Sequence, residues 1–375
     1  MKRPYIRPFS TSLADYECSD MNNEYIERYL HAMPKAELHV HLEGSIQPAT
    51  LLILAGRNGV DLPVKTVAEL QNWFIFRDFN HFIEIYFDIS NCLRTAEDYE
   101  LIAYEFGANM AKQNVRYVEV TFSPSTHYYA LGVSHDTYFT GLNRGRQRAR
   151  ADFGVEMRWI FDIVRNIEDE TRNHMLADYT TSVAIEGKDD GVVALGLGGA
   201  EVGYPPEKFA RWFDKARAAG LHSTPHAGET VGPTSIWSAL KTLGAERIGH
   251  GVRAIEDPAL VAYLAANHIP LEVCPTSNVK LGVYTDYVDH PLPRLHLAGV
   301  PVTVNSDDPP LFNTTLSTEV RLLVDAFNFD LKTVNELILN GVRFSFLPVQ
   351  EKQAMEAAFR DEMERLQRDV LCQSS

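Results

Sequence analysis

Four short stretches hold residue types that bind metal ions and move protons. They are His39-Val40-His41 in "AELHVHLEGS", His226 and Glu229 in "PHAGE", His250 in "GHG", and Asp307 with Asp308 in "NSDDP". Along an extended chain residues i and i+2 share a face, so His39 and His41 lie about 6.6 Å apart on one side. Two imidazoles so placed can converge on one ion at nitrogen distances of about 2.1 Å. A third imidazole, His226, and the carboxylate of Asp307 complete a His3Asp set. Such a set suits Zn2+, with Fe2+ or Mn2+ as alternatives. A bound divalent ion lowers the pKa of its water from roughly 15.7 towards about 7, which makes hydroxide available at neutral pH. Glu229, three residues past His226, is then free to act as general acid and base. His250 is available to orient the hydroxide and stabilise developing negative charge. Asp308, beside Asp307, is placed to accept a hydrogen bond from a substrate. The implied chemistry is hydrolytic attack on an electrophilic carbon.

A lone histidine in a strand is usually a hydrogen-bonded core residue, and a lone H-x-H is weak. His222 precedes His226 by four residues, about 13 Å down a strand, and cannot share its ion. His127 and seven further histidines have no matching motif and read as ordinary structural residues. The weight lies in the set, because each of the four motifs ends a separate candidate strand.

Eight β-branched runs supply those strands: 36–42, 115–122, 155–164, 192–198, 222–227, 246–251, 269–274 and 300–306. Helical patterns separate them. Residues 95–114 follow a Thr N-cap with apolar residues at helical spacing. Residues 205–220 begin with Pro and end at Gly. Eightfold strand–helix alternation predicts parallel strands closed into a (β/α)8 TIM barrel, whose polar residues gather at strand C-termini. An open doubly wound sheet is disfavoured, because no G-x-G-x-x-G follows the first strand. Closure would bring the eighth strand beside the first and so bring Asp307 to the histidine pair. The long region between strands 1 and 2 contains the aromatic run 70–89, read as a core helix. A helical insertion after strand 1 lies over the barrel mouth, where Phe82, Ile83 and Tyr86 would wall an apolar pocket. Residues 349–371 predict a closing amphipathic helix.

The chain has 375 residues, 45% hydrophobic and 23% charged, which is ordinary globular composition. A net charge of -15 repels phosphate backbones and anionic lipid, so neither nucleic acid nor membrane is an expected partner. No apolar run approaches the roughly 20 residues of a membrane helix. The N-terminus has no apolar segment of the secretory kind, and residues 1–22 read as a flexible arm before a single domain over 23–371. Four scattered cysteines without a C-x-x-C pair fit a reducing cytoplasm.

From about residue 34 to about residue 345 the chain resembles the adenosine deaminase family of metal-dependent hydrolases. The resemblance is carried by "KAELHVHLEGS", "TPHAGE", "ERIGHG", "LEVCPTSN" and "VTVNSDDPPLF". It implies Zn2+ held by His39, His41, His226 and Asp307. It implies that Glu229 protonates purine N1 and helps deliver hydroxide to C6, releasing ammonia, while His250 orients the hydroxide. Asp308 would contact N7 and the backbone of Gly199 would contact N3. Within the family, adenine deaminases typically carry Asp before the strand 6 histidine and tend to carry Ser at the position of Gly199. Gly249 and Gly199 here favour a nucleoside. Animal-type nucleoside deaminases have HLDG, whose Asp binds the ribose 5′-hydroxyl; here the residue is Glu43, one methylene longer. The expected substrate is thus adenosine or a 5′-modified adenosine such as 6-aminodeoxyfutalosine, converted to its 6-oxo product. Free adenine is the rival within the family, and a silent nucleoside-binding homologue is the rival outside catalysis.

Overall fold

The computed structural model describes residues 13–371. Eight parallel strands neighbour one another in chain order: β1 (Lys35–His41), β2 (Val115–Phe122), β3 (Glu156–Val164), β4 (Val192–Gly198), β5 (His222–Ala227), β6 (Ile248–His250), β7 (Leu271–Val273) and β8 (Val302–Val304). The ring closes where Val40 bridges Asp307. There the His41 N–H donates to the Asp307 carbonyl at 2.8 Å, and the Asp307 N–H donates to the His39 carbonyl at 3.1 Å. The fold is therefore the expected (β/α)8 barrel. Strands buried on both faces read as continuous apolar runs, and β3 is buried from Trp159 to Ile163 without a break.

The last three strands are shorter than their sequence runs suggested. Pro270 and Pro301 have no N–H for the ladder, so β7 and β8 begin just after them. At the other end His250 and Asp307 turn to φ of 56° and 63° and leave the extended conformation. Such backbone is sparsely populated by residues other than Gly and clusters at functional sites.

Of the arm expected over residues 1–22, residues 1–12 lie outside the described residues. Helix α1 spans Leu13–Ala32, and Tyr29 near its end donates to Asn335 at 2.8 Å. The insertion after β1 is helical, comprising α2 (Pro48–Asn58), α3 (Val67–Trp73) and α4 (Phe79–Ser90), ahead of the crossover helix α5 (Ala96–Lys112). The aromatic run 70–89 is two helices rather than one. Thr66 and Glu69 form a capping box that starts α3, and Asp78 accepts from the His81 N–H at 2.9 Å to start α4. The interruption turns α4 so that Phe82 and Tyr86 reach the barrel mouth. Crossover helices α6 (His135–Phe153) and α7 (Glu170–Glu186) follow β2 and β3.

The helix Val349–Leu371 packs on Leu331–Arg343, joined by an Arg343–Glu356 pair at 2.9 Å. Gly341 in the inner of these helices lies so close to β1 that a Cβ there would sit 2.7 Å from the Ala36 carbonyl. Among the described residues, no helix is long and apolar enough to cross a membrane.

Candidate active site

The C-terminal ends of β1, β5, β6 and β8 bring four of the predicted residues to one point. Side-chain ligand atoms of His39, His226, His250 and Asp307 all lie within 4.8 Å of one another. The His39 ring centroid is 4.5 Å from that of His226 and 4.7 Å from that of His250. Asp307 Oδ1 stands 3.4 Å from His39 Nε2 and 3.3 Å from His41 Nε2. His41, Asp307 and Asp308 form a second such group, so Asp307 belongs to both. Asp307 Oδ2 accepts from Ser277 Oγ at 2.6 Å, which fixes the carboxylate. Glu229 Oε1 lies 3.7 Å from His250 Nε2.

Glu272 in β7 sets the tautomer of His39. Its Oε2 is 2.8 Å from His39 Nδ1, so Nδ1 donates to Glu272 and Nε2 is the nitrogen turned to the cluster. His39 Nε2 is buried and has no hydrogen-bond partner. An orphaned imidazole nitrogen facing a carboxylate and two further imidazoles is the donor arrangement a divalent cation requires. Glu272 is itself held by Arg247 Nε at 2.5 Å, and Arg247 Nη2 reaches Glu119 at 2.5 Å.

Buried charge shapes the protonation of the site. Burial would lower His39, but the Asp307 and Glu272 carboxylates beside it outweigh burial and raise it to about 10, so a cation that binds Nε2 displaces a proton from it. Burial lowers His41, and burial with the His39 charge holds His226 well below its ordinary value. Burial takes His250 to about 3, so it stays neutral. Asn278 Nδ2 donates to His250 Nδ1 at 3.2 Å, which leaves the proton on Nε2, facing Glu229 and Asp307. Burial, with the negative charges of Asp307 and Glu201, pushes Glu229 up to about 8. Burial and the adjacent Asp307 push Asp308 well above the carboxylate range. A raised pKa favours the protonated carboxyl, which carries an O–H that can donate a hydrogen bond.

These groups open into one cavity, whose lining includes His226, Glu229, Asp307, Asp308 and Gly199. Phe82, Ile83 and Tyr86 of α4 form its apolar wall, as anticipated. Gly199 has φ of 87°, and a Cβ there would lie 2.1 Å from Asn166 Oδ1. A Cβ on Gly44 would lie 1.7 Å from Asp308 Oδ1, so Gly44 makes the room that Asp308 occupies.

Glu43 is placed differently from the other predicted residues. It is fully buried in the turn after β1, and its carboxylate accepts from the Ser123 N–H at 3.1 Å, His127 Nε2 at 3.0 Å and the Tyr86 hydroxyl at 3.1 Å. Burial alone would raise its pKa, but His127 and the Ser123 N–H lower it, so it remains charged. Tyr86 and Ser123 face the cavity, and Glu43 stands behind them. His127, read from sequence as an ordinary histidine, is thus the link between Glu43 and the Tyr99 hydroxyl, 2.8 Å from its Nδ1. His222 stacks on Phe346 with centroids 4.0 Å apart and pairs with Glu246, away from the cluster.

Glu272, Arg247 and Glu119 went unassigned in the sequence. Their available signal was a charged residue inside an apolar barrel strand, as in "LEVC", "ERIG" and "YVEV". Such a residue is rarely buried without a partner.

Comparison with known proteins agrees with this geometry. The adenosine deaminase family model matches residues 34–361. An aminodeoxyfutalosine deaminase from Streptomyces coelicolor is 42% identical over 334 residues, covering 87% of this chain and 84% of that protein. An adenine deaminase from Albidiferax ferrireducens is 38% identical, covering 87% of this chain and 93% of that protein. The crystal structure of an amidohydrolase from Burkholderia ambifaria with bound Zn superposes with a TM-score of 0.83 at 27% identity, covering 93% of this chain and 95% of that one. The chain belongs to the adenosine deaminase family, and is a metal-binding (β/α)8 hydrolase that deaminates adenine-type substrates.

Proposed function

We propose that the protein deaminates a 6-aminopurine nucleoside, adenosine or an adenosine modified at its 5′ carbon, to the 6-oxo nucleoside and ammonia. His39, His41, His226 and Asp307 would hold a zinc ion, whose N3O donor set is supported by the orphaned His39 Nε2. When bound, the ion supplies Lewis acidity that makes a water molecule a nucleophile at neutral pH. The chain's own residues do the rest. Asp308, protonated, donates to purine N7, and the backbone of Gly199 meets N3, so the base lies with C6 towards the histidines. Glu229 enters protonated and gives that proton to N1, which draws electron density from C6 as the C–O bond forms, and it then takes the remaining proton of the added oxygen. His250 donates from Nε2 to the attacking oxygen and stabilises its charge. The amino group leaves as ammonia after a second proton transfer.

The observation that carries the nucleoside reading is the reach of the cavity. The cavity that Asp308 and Gly199 line is also lined by Tyr86, Ser123, Tyr129 and Arg172, and Glu43 is not on its wall. Gly249 adds support, because a Cβ there would lie 2.9 Å from His39 Cε1 and leaves no room for the Asp typical of adenine deaminases. Free adenine is the second reading, favoured by the 38% identical adenine deaminase. A cytoplasmic setting fits the free, buried Cys92 and Cys274.

A steady-state panel of adenine, adenosine, 2′-deoxyadenosine, 5′-methylthioadenosine and aminodeoxyfutalosine tests the proposal. Turnover of the nucleosides above adenine is expected. Turnover of adenine alone would overturn it.

A further inference from the structure

His250 serves as a donor only if it keeps a proton on the nitrogen that faces the site. Its Nε2 stands 3.7 Å from Glu229 Oε1 and 3.8 Å from Asp307 Oδ2, in the same group of side-chain ligand atoms as His39 and His226. A bare Nε2 there would join a metal shell, whereas a protonated Nε2 donates a hydrogen bond. A neutral imidazole carries one proton, so the partner of Nδ1 decides between the two.

That decision traces back to a backbone amide. The Leu292 N–H donates to His290 Nδ1 at 3.2 Å. A main-chain N–H cannot reverse its role, so His290 carries its proton on Nε2. His290 Nε2 then donates to Asn278 Oδ1 at 3.2 Å. This orients the Asn278 amide, because a flipped amide would set its NH2 against the His290 N–H, donor facing donor. Asn278 Nδ2 therefore faces His250 Nδ1 at 3.2 Å, and Nδ1 must accept.

The chain is shielded from water throughout, with His290 3%, Asn278 0% and His250 1% exposed. Burial lowers His290 to about 3, so it stays neutral and keeps Nδ1 bare. The His290 ring packs against Tyr284 and Phe327, with centroids 5.2 and 5.5 Å away. Asn278 sits in the short helix Pro275–Lys280, and its carbonyl accepts from the Val283 N–H at 2.9 Å. A phenyl ring would satisfy the packing against Tyr284 and Phe327. It would not supply the donor that orients Asn278.

We infer that His290, read from sequence as an ordinary structural histidine, is a positioning residue: through Asn278 it fixes the proton of His250 on Nε2. His250 is thereby kept a donor rather than a metal ligand. The inference rests on the donor role given to His250 above. It is indifferent to the choice between nucleoside and free base, since both react at C6.

The test reads tautomer and rate separately. In zinc-loaded enzyme carrying 15N-labelled histidine, protonated and bare ring nitrogens have well-separated shifts, and His250→Asn identifies the His250 signals. The wild-type protein should show His250 protonated on Nε2 alone; a proton on Nδ1 overturns the inference without any variant. His290→Phe keeps an aromatic ring but frees the Asn278 amide to flip, so a population protonated on Nδ1 should appear. With adenosine and adenine both assayed, kcat per bound zinc should fall roughly tenfold, the worth of one oriented hydrogen bond, at unchanged KM. His290→Gln still presents an N–H to Asn278 and should restore the wild-type tautomer and most of the rate. Asn278→Asp offers His250 Nδ1 only an acceptor, so the proton should move there and kcat should fall about 10²–10³-fold, as for the loss of one oxyanion donor. A His250 that stays protonated on Nε2 in His290→Phe or in Asn278→Asp overturns the inference, whatever the rate. A changed tautomer with unchanged kcat would uphold the proton placement and overturn instead the donor role of His250.

Discussion

Glu272→Gln is the substitution through which the buried charge network is best tested. Glu272 is 2% exposed and accepts from Arg247 at 2.5 Å, Thr224 at 3.0 Å and His39 at 2.8 Å. Burial would raise its pKa, but Arg247 and His39 bring it from 4.5 to about 2. That difference corresponds to about 3 kcal/mol favouring the charged carboxylate in the folded state. Removing one partner of a buried ion pair costs about 3–5 kcal/mol, because the other charge is left uncompensated. The two figures agree, so Glu272→Gln should lose about 3 kcal/mol of stability at pH 7, read as a fall in the urea midpoint. The folded-state value lies below the unfolded one, so this contribution is full above about pH 4.5 and is lost as pH falls towards 2. The acid-induced loss of stability between those values should therefore shrink in the variant. The amide also lacks the charge that holds the His39 proton on Nδ1, so metal affinity should fall about 10–100-fold. Competition against a chelating dye measures this without reference to turnover. A variant that loses less than about 1 kcal/mol and keeps wild-type metal affinity would refute the network.

Two further substitutions follow from the same geometry. Glu229→Gln should keep its metal and bind purine, yet lose about 10²–10⁴ in kcat, the usual worth of a general acid–base; near-normal kcat would remove Glu229 from proton transfer. In the wild-type enzyme, burial and Asp307 push Glu229 up to about 8, so its protonated form persists at neutral pH. The wild-type rate should then decline only on an alkaline limb, and a limb in the ordinary carboxylate range would contradict the assignment. Gly44→Ala places a Cβ against Asp308 Oδ1 and should displace that carboxyl while leaving metal content intact. Loss of one hydrogen bond to the substrate should raise KM about tenfold, whereas an unchanged KM would show that Asp308 does not touch the purine.

What was legible in the chain was local. Side-chain alternation placed His39 and His41 on one face, and turn residues marked where each strand stopped. Strand–helix alternation implied a parallel barrel, and closure followed from counting eight units. The same logic stops where partners are distant. The aromatic run gave no sign of being two helices, because the break lies in the Asp78 cap rather than in hydropathy. The last strands looked longer than they are, since apolar flanks continue beyond the point where Pro or a left-handed residue ends the ladder.

The sequence by itself determined the barrel and the residues that meet at its mouth, because both depend on short periodicities and on strand ends. Only the tertiary structure decided what those residues are free to do. His39 takes its tautomer from Glu272, 233 positions away, and Glu43 is withdrawn from the cavity by His127, 84 positions away. The protonation of Glu229 and Asp308 depends on burial and on carboxylates brought close by folding. A residue's type sets which protons and lone pairs it owns. Its dielectric surroundings and its partners, which exist only once the ring has closed, set which of them remain available.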